Sequence, residues 1–121
     1  MDKFQTILQY VCKRPGMYHH GSFRETAAYV HGFLAGAEGR EDISLSKNEE
    51  YTLFSLFVSY QCRTGSNVNW SFSIEQTTES DAAAHQRLLE LYDAFRQERS
   101  SSEADVFKAK YRQLLHESCL L

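Results

Sequence analysis

Three histidines and three cysteines are the side chains with the most obvious capacity for chemistry. His19, His20 and His31 lie near one another in the chain. A zinc-type ion needs ligands whose spacing makes them converge, as H-x-x-x-H does on a helix or C-x-x-C in a turn. Adjacent His19 and His20 in an extended segment point in different directions, and neither pattern occurs, so no metal ion is expected. Cys12, Cys62 and Cys119 are odd in number and widely spaced, which fits reduced thiols better than a disulfide framework. A nucleophilic thiol or serine needs a neighbouring base and a third group that orients that base. Cys12 ends an amphipathic segment, and no G-x-S-x-G elbow is present.

Carboxylates are more plentiful. Glu38, Glu41, Asp42, Glu49 and Glu50 form one group, and Glu75, Glu79 and Asp81 a second. Most such clusters are solvated helix ends, where an acid also complements the helix dipole. Neither G-x-x-x-x-G-K-[ST] nor G-x-G-x-x-G occurs to cradle a phosphate. With no reacting constellation, the expectation is a protein without catalysis or cofactor.

The distribution of charge says more. Residues 21–50 carry three cations and six acids, as do residues 71–100, in a chain of net charge −3. No basic stripe interrupts these blocks, which argues against direct nucleic-acid binding, since that draws its affinity from Lys and Arg against phosphates. Clustered carboxylates attract a basic partner over a Debye length of about 10 Å and raise its association rate. The eight acids named above are therefore the candidate partner contacts. The plainer role for them is solubility.

The elements that must position these residues are helical. With 121 residues, 42% of them hydrophobic, the chain is sized for one domain with a packed core, residues 1–121. No apolar run approaches the roughly 20 residues of a membrane span, and the N-terminus lacks a signal-peptide pattern, so a cytosolic location is expected. Asp2 caps a first helix with Phe4, Ile7, Leu8 and Val11 on one face. Pro15 forces that helix to end near Cys12 or Lys13. Ser22 and Glu25 form a capping box for a second helix, whose stripe is Phe23, Ala27, Val30, Phe33, Leu34 and Ala37. Gly32 and Gly36 each cost helix propensity, roughly 1 kcal/mol, which predicts a second helix crossing closely there. Gly39 is the natural C-terminal cap.

Ser46 with Glu49 reads as the next capping box, opening "YTLFSLFVSY". A helix that is apolar nearly all round is central and buried. In "WSFSIEQ", Trp70, Phe72 and Ile74 alternate with polar residues, leaving residues 70–75 open between a short extended segment and a helical turn. A helix from Ser80 buries Ala84, Leu88, Leu91, Tyr92 and Phe95. A last one from near Ser102 buries Phe107, Tyr111, Leu114 and Leu115. The expected fold is all-α, about five helices around the central aromatic one.

"KRPGMY" (Lys13 to Tyr18) is similar to a peptide that opens the ATPase domain of DNA gyrase, but the asparagine-bearing ATP helix and D-x-G-x-G loop that complete that site are missing. Over residues 4 to 98 the chain resembles small bacterial immunity-type proteins, which neutralise toxins of contact-dependent and polymorphic-toxin systems. The resemblance rests on the R-P-x-M-Y turn of Arg14, Pro15, Met17 and Tyr18, a following helix with "FLAG", an aromatic helix, a loop with lone Trp70, and the "LLELYDAF" helix. It implies an inhibitor that binds a cognate protein toxin, with the turn first a structural joint. A rival expectation is an adaptor or regulatory domain that holds a partner helix in an apolar groove at Gly32 and Gly36.

Overall fold

A computed structural model of the protein describes residues 2–13, 22–39, 48–65 and 69–120. Among these residues the fold is six helices and no strand: α1 Lys3–Cys12, α2 Phe23–Glu38, α3 Glu49–Cys62, α4 Trp70–Gln76, α5 Asp81–Arg99 and α6 Ala104–Glu117. The all-α architecture matches the expectation, with one helix more than the sequence suggested.

The additional helix is α4. Its alternation of apolar and polar residues imitates a strand, but Asn69 sets a helical start by accepting the Phe72 N–H at 2.9 Å. Helical spacing then buries Trp70, Ser73 and Ile74 together, and turns Phe72 outward, 48% exposed.

The α3 helix is the centre. It buries Tyr51, Leu53, Phe54, Leu56, Phe57 and Val58, and packs against α6, α4, α5 and α1. Aromatic rings tie these helices together. Phe54 lies 5.6 Å from Phe4, 5.8 Å from Trp70 and 5.1 Å from Phe95. Phe57 sits 5.3 Å from Tyr111, which in turn is 4.7 Å from Phe107. Each edge-to-face or tilted pair is worth about 0.5–1.5 kcal/mol beyond area burial. Arg63 ends α3 in the left-handed region, φ 57, with its guanidinium 4.4 Å from the Tyr60 ring centre.

Capping corrects the sequence reading once. Asn48 caps α3 through the Tyr51 N–H at 2.9 Å, not Ser46, which lies outside the described residues. The last helix, α6, starts close to Ser102 as expected, with Glu103 at its N-cap position and no side-chain cap there; the Ser102 carbonyl accepts from Arg99. The other caps stand: Asp2 for α1, Ser22 for α2 and Gly39, φ 69, at the end of α2.

The predicted stripe of α2 is also corrected. Phe23, Ala27, Val30 and Leu34 are buried, but Phe33 is 43% exposed and Ala37 is on the surface. No described helix crosses Gly32 or Gly36, because a Cβ at either would meet nothing within 4 Å.

Candidate protein-binding face

The start of α2 is fixed to α4 and α5 by polar contacts. Ser22 accepts the Glu25 N–H at 3.1 Å. The Phe23 N–H, otherwise an orphan of the first turn, donates to Asp81 at 2.9 Å. One turn on, Thr26 meets His85 Nε2 at 2.8 Å within the interior. Arg24 reaches across to α4 and donates through Nε to Glu75 at 2.7 Å. The hydrogen bond and charge of Glu75, with the charge of Asp81, hold the Arg24 guanidinium protonated above its already high range.

This corner gathers three of the acids singled out from the sequence. Glu75 is paired, Asp81 bonds the α2 backbone, and Glu79, two residues before Asp81, is exposed. With exposed Glu25 beside them, four carboxylates stand against one arginine, a local balance of −3.

Beside the corner lies an open groove between α2 and α4, about 330 Å³ in volume. Arg24 and Glu75 line it at one side, Phe72, Ala27 and Ala28 offer apolar surface, and His31, Asn69 and Ser71 line the rest. His31 is wedged edge-on, 5.4 Å from the Trp70 ring and 6.0 Å from Tyr51. Its Nε2 is buried and, like Trp70 Nε1, finds no hydrogen-bond partner among the described residues. Burial pushes the His31 pKa below its ordinary value, so the ring is neutral at pH 7.

A second acidic corner forms where α1 and α3 begin. Glu49 is exposed there. Glu50, expected on the surface, is only 8% exposed. It takes both Nε contacts of Arg99, at 3.2 and 3.1 Å, and a close one from Nη2. Glu50 therefore joins α3 to α5 and has little left to offer a partner.

Of the remaining predicted residues, Glu38 is the last of α2. Glu41, Asp42 and the turn residues Arg14, Pro15, Met17 and Tyr18 lie outside the described residues, as do His19 and His20. Among the described residues no three His, Cys, Asp or Glu side chains could together hold a metal ion. No described helix is long and apolar enough to cross a membrane.

Sequence reasoning missed Phe72, Tyr29 and Phe33 as surface aromatics. The available signal was phase. Tyr29 falls outside the i, i+3, i+4 stripe of its helix, and Phe72 falls outside that of Trp70, Ser73 and Ile74. No protein-family model, curated protein or solved structure matches the chain.

Proposed function

We propose that this chain is an immunity-type binding protein, without catalysis of its own, that holds a cationic protein toxin against the α2–α4 face. The observation that carries the reading is Phe72, half exposed at the edge of a groove lined at one side by the Arg24–Glu75 pair. An aromatic anchor surrounded by polar residues is the usual anatomy of an interface hot spot. The adjoining −3 corner supplies the attraction for a basic partner. The acids thus act as a steering rim, and the apolar groove as the grip. The sequence resemblance supports the kind of partner.

Kinetics of binding to the product of the adjacent upstream gene test this. Phe72→Ala raises the dissociation rate by about tenfold with little change in salt dependence, as expected for a lost anchor. Glu79→Lys slows association and flattens its dependence on salt. If both substitutions leave both rates unchanged, the face is not the binding site.

A second reading has its own observation. Gly32 and Gly36 stand on open surface, where an adaptor would hold a partner helix. That reading predicts salt-insensitive binding that fails when bulky residues replace the glycines and ignores Phe72→Ala.

A further inference from the structure

The groove between α2 and α4 offers two acceptor oxygens without a donor. Glu75 gives its Oε1 to Arg24, which meets it through Nε and Nη2, both at 2.7 Å. Among the described residues no donor reaches Oε2, and the Glu75 side chain keeps 33% of its surface exposed. Ser71 lies one turn earlier on α4 and lines the same groove. Its hydroxyl donates to Asn69 Oδ1 at 2.7 Å. That commits the hydroxyl hydrogen, so Ser71 Oγ has only lone pairs left to offer. Residues three and four apart share one face of a helix. Phe72 and Ser71 are therefore both neighbours of Glu75, and one patch carries a half-exposed ring and two free acceptors.

Charge decides which ligand this patch fits. Glu75 neutralises Arg24, while exposed Glu25, Glu79 and Asp81 leave the corner at −3. A carboxylate entering the groove would have to take Arg24 from Glu75 against that field. A cation with several N–H groups meets a favourable field and two waiting oxygens. Lysine and arginine differ here. An ammonium is a strongly hydrated point charge, whereas a guanidinium is flat, weakly hydrated and donates through a rigid fork. Only the guanidinium can lie on an aromatic face and reach both acceptors from there. Its alkyl stem suits the exposed Ala28 beside it, as long cationic side chains cover apolar surface with their stems.

We propose that the α2–α4 groove receives one arginine side chain of the partner protein, its guanidinium stacked on Phe72 and donating to Glu75 Oε2 and Ser71 Oγ. The inference deepens the reading of this face as the contact site and rests on it. Phe72 then serves as a platform for a cation, Glu75 is a direct contact, and Glu79 only steers.

Nuclear magnetic resonance titration of the full chain tests it. The probes are a capped alanine–arginine–alanine tripeptide and its counterparts with lysine or with citrulline, the uncharged analogue of arginine, at the central position. The arginine peptide binds in the millimolar range and shifts the Phe72 ring and the Ser71 and Glu75 amides. The lysine peptide binds about fivefold more weakly, and the citrulline peptide more weakly still. Glu75→Gln, whose surface ion pair contributes little to folding, weakens the arginine peptide by about tenfold. Circular dichroism confirms that the variant is folded. No binding of the arginine peptide at tens of millimolar overturns the proposal. So does binding no better than that of the lysine peptide, or an affinity that Glu75→Gln leaves unchanged. Kinetics with the adjacent gene product separate the two failures. If Phe72→Ala has no effect on that complex, the face itself is wrong. If Phe72→Ala weakens it while Glu75→Gln does not, the face stands and the arginine is wrong.

Discussion

Asp2 and Asn48, the residues that cap α1 and α3, share a hydrogen bond of 3.0 Å with each other. Asp2 Oδ1 accepts the Phe4 and Gln5 N–H groups at 2.8 and 3.2 Å, and its Oδ2 accepts from Asn48 Nδ2. Asn48 Oδ1 in turn accepts the Tyr51 N–H. The starts of two helices are thereby one polar unit. Asp2→Ala and Asn48→Ala each cost about 1 kcal/mol as lost caps. Because the residues touch, the double variant departs from additivity by roughly 0.5 kcal/mol or more. Urea unfolding of the four proteins measures this, and strict additivity would show the 3.0 Å contact to be without energetic consequence.

The Glu50–Arg99 pair makes a stronger claim. Both side chains are largely buried, 11% and 16% exposed, and Arg99 also donates to the Ser102 carbonyl. Removing one partner strands the other, so Glu50→Gln or Arg99→Met destabilises by about 3 kcal/mol. Replacing both, as Glu50→Leu with Arg99→Met, recovers much of that loss. Thermal unfolding decides it. A single substitution without effect would mean that the pair is solvated in solution. A loss of partner binding on mutating Glu50 therefore reports on folding before it reports on contact.

Two aromatic residues separate packing from binding. Phe54 is fully buried against Phe4, Trp70, Tyr92 and Phe95, and Phe54→Ala costs about 3–5 kcal/mol. Phe72 is half exposed, and its truncation changes stability by only about 0.5 kcal/mol. Equal losses in denaturant titrations would place Phe72 in the core and remove it as an anchor.

Acid should loosen the fold before the carboxylates titrate. Burial lowers the pKa of His31. It lowers that of His85 as well, partly opposed by the backbone carbonyl and charge of Asp81. The unfolded chain, with histidine near its ordinary value of about 6.5, then binds more protons than the native one. Stability contributed by both rings is complete above that pH and declines as pH falls from it towards the lowered native values. Urea midpoints between about pH 7.5 and 5 follow this directly. His31→Phe with His85→Gln flattens the slope in that window, and an unchanged slope would refute the assignment.

How far the sequence led depends on the element. The stripes of α1 and α5 were readable because each presents a helical period with a cap in front, and the interior of α3 because its apolar residues leave almost no polar face. Residues 70–76 were not, since apolar residues at every second position obey a strand rule while Asn69 imposes a helical start. Phe33 follows Val30 by three and so joined the predicted stripe, but its angle around α2 lies past the edge of the packed face. Acid content located the Glu75–Asp81 corner. It could not tell that Glu50 bonds Arg99 or that Asp81 bonds the Phe23 N–H, because both contacts join residues far apart in the chain.

The central claim is that the α2–α4 face grips another protein, and hydrogen exchange on the complex with the adjacent gene product reads it most directly. The account predicts added protection within residues 24–31 and 69–76, with α6 unchanged. Protection concentrated on α6, or none on α4, would contradict it.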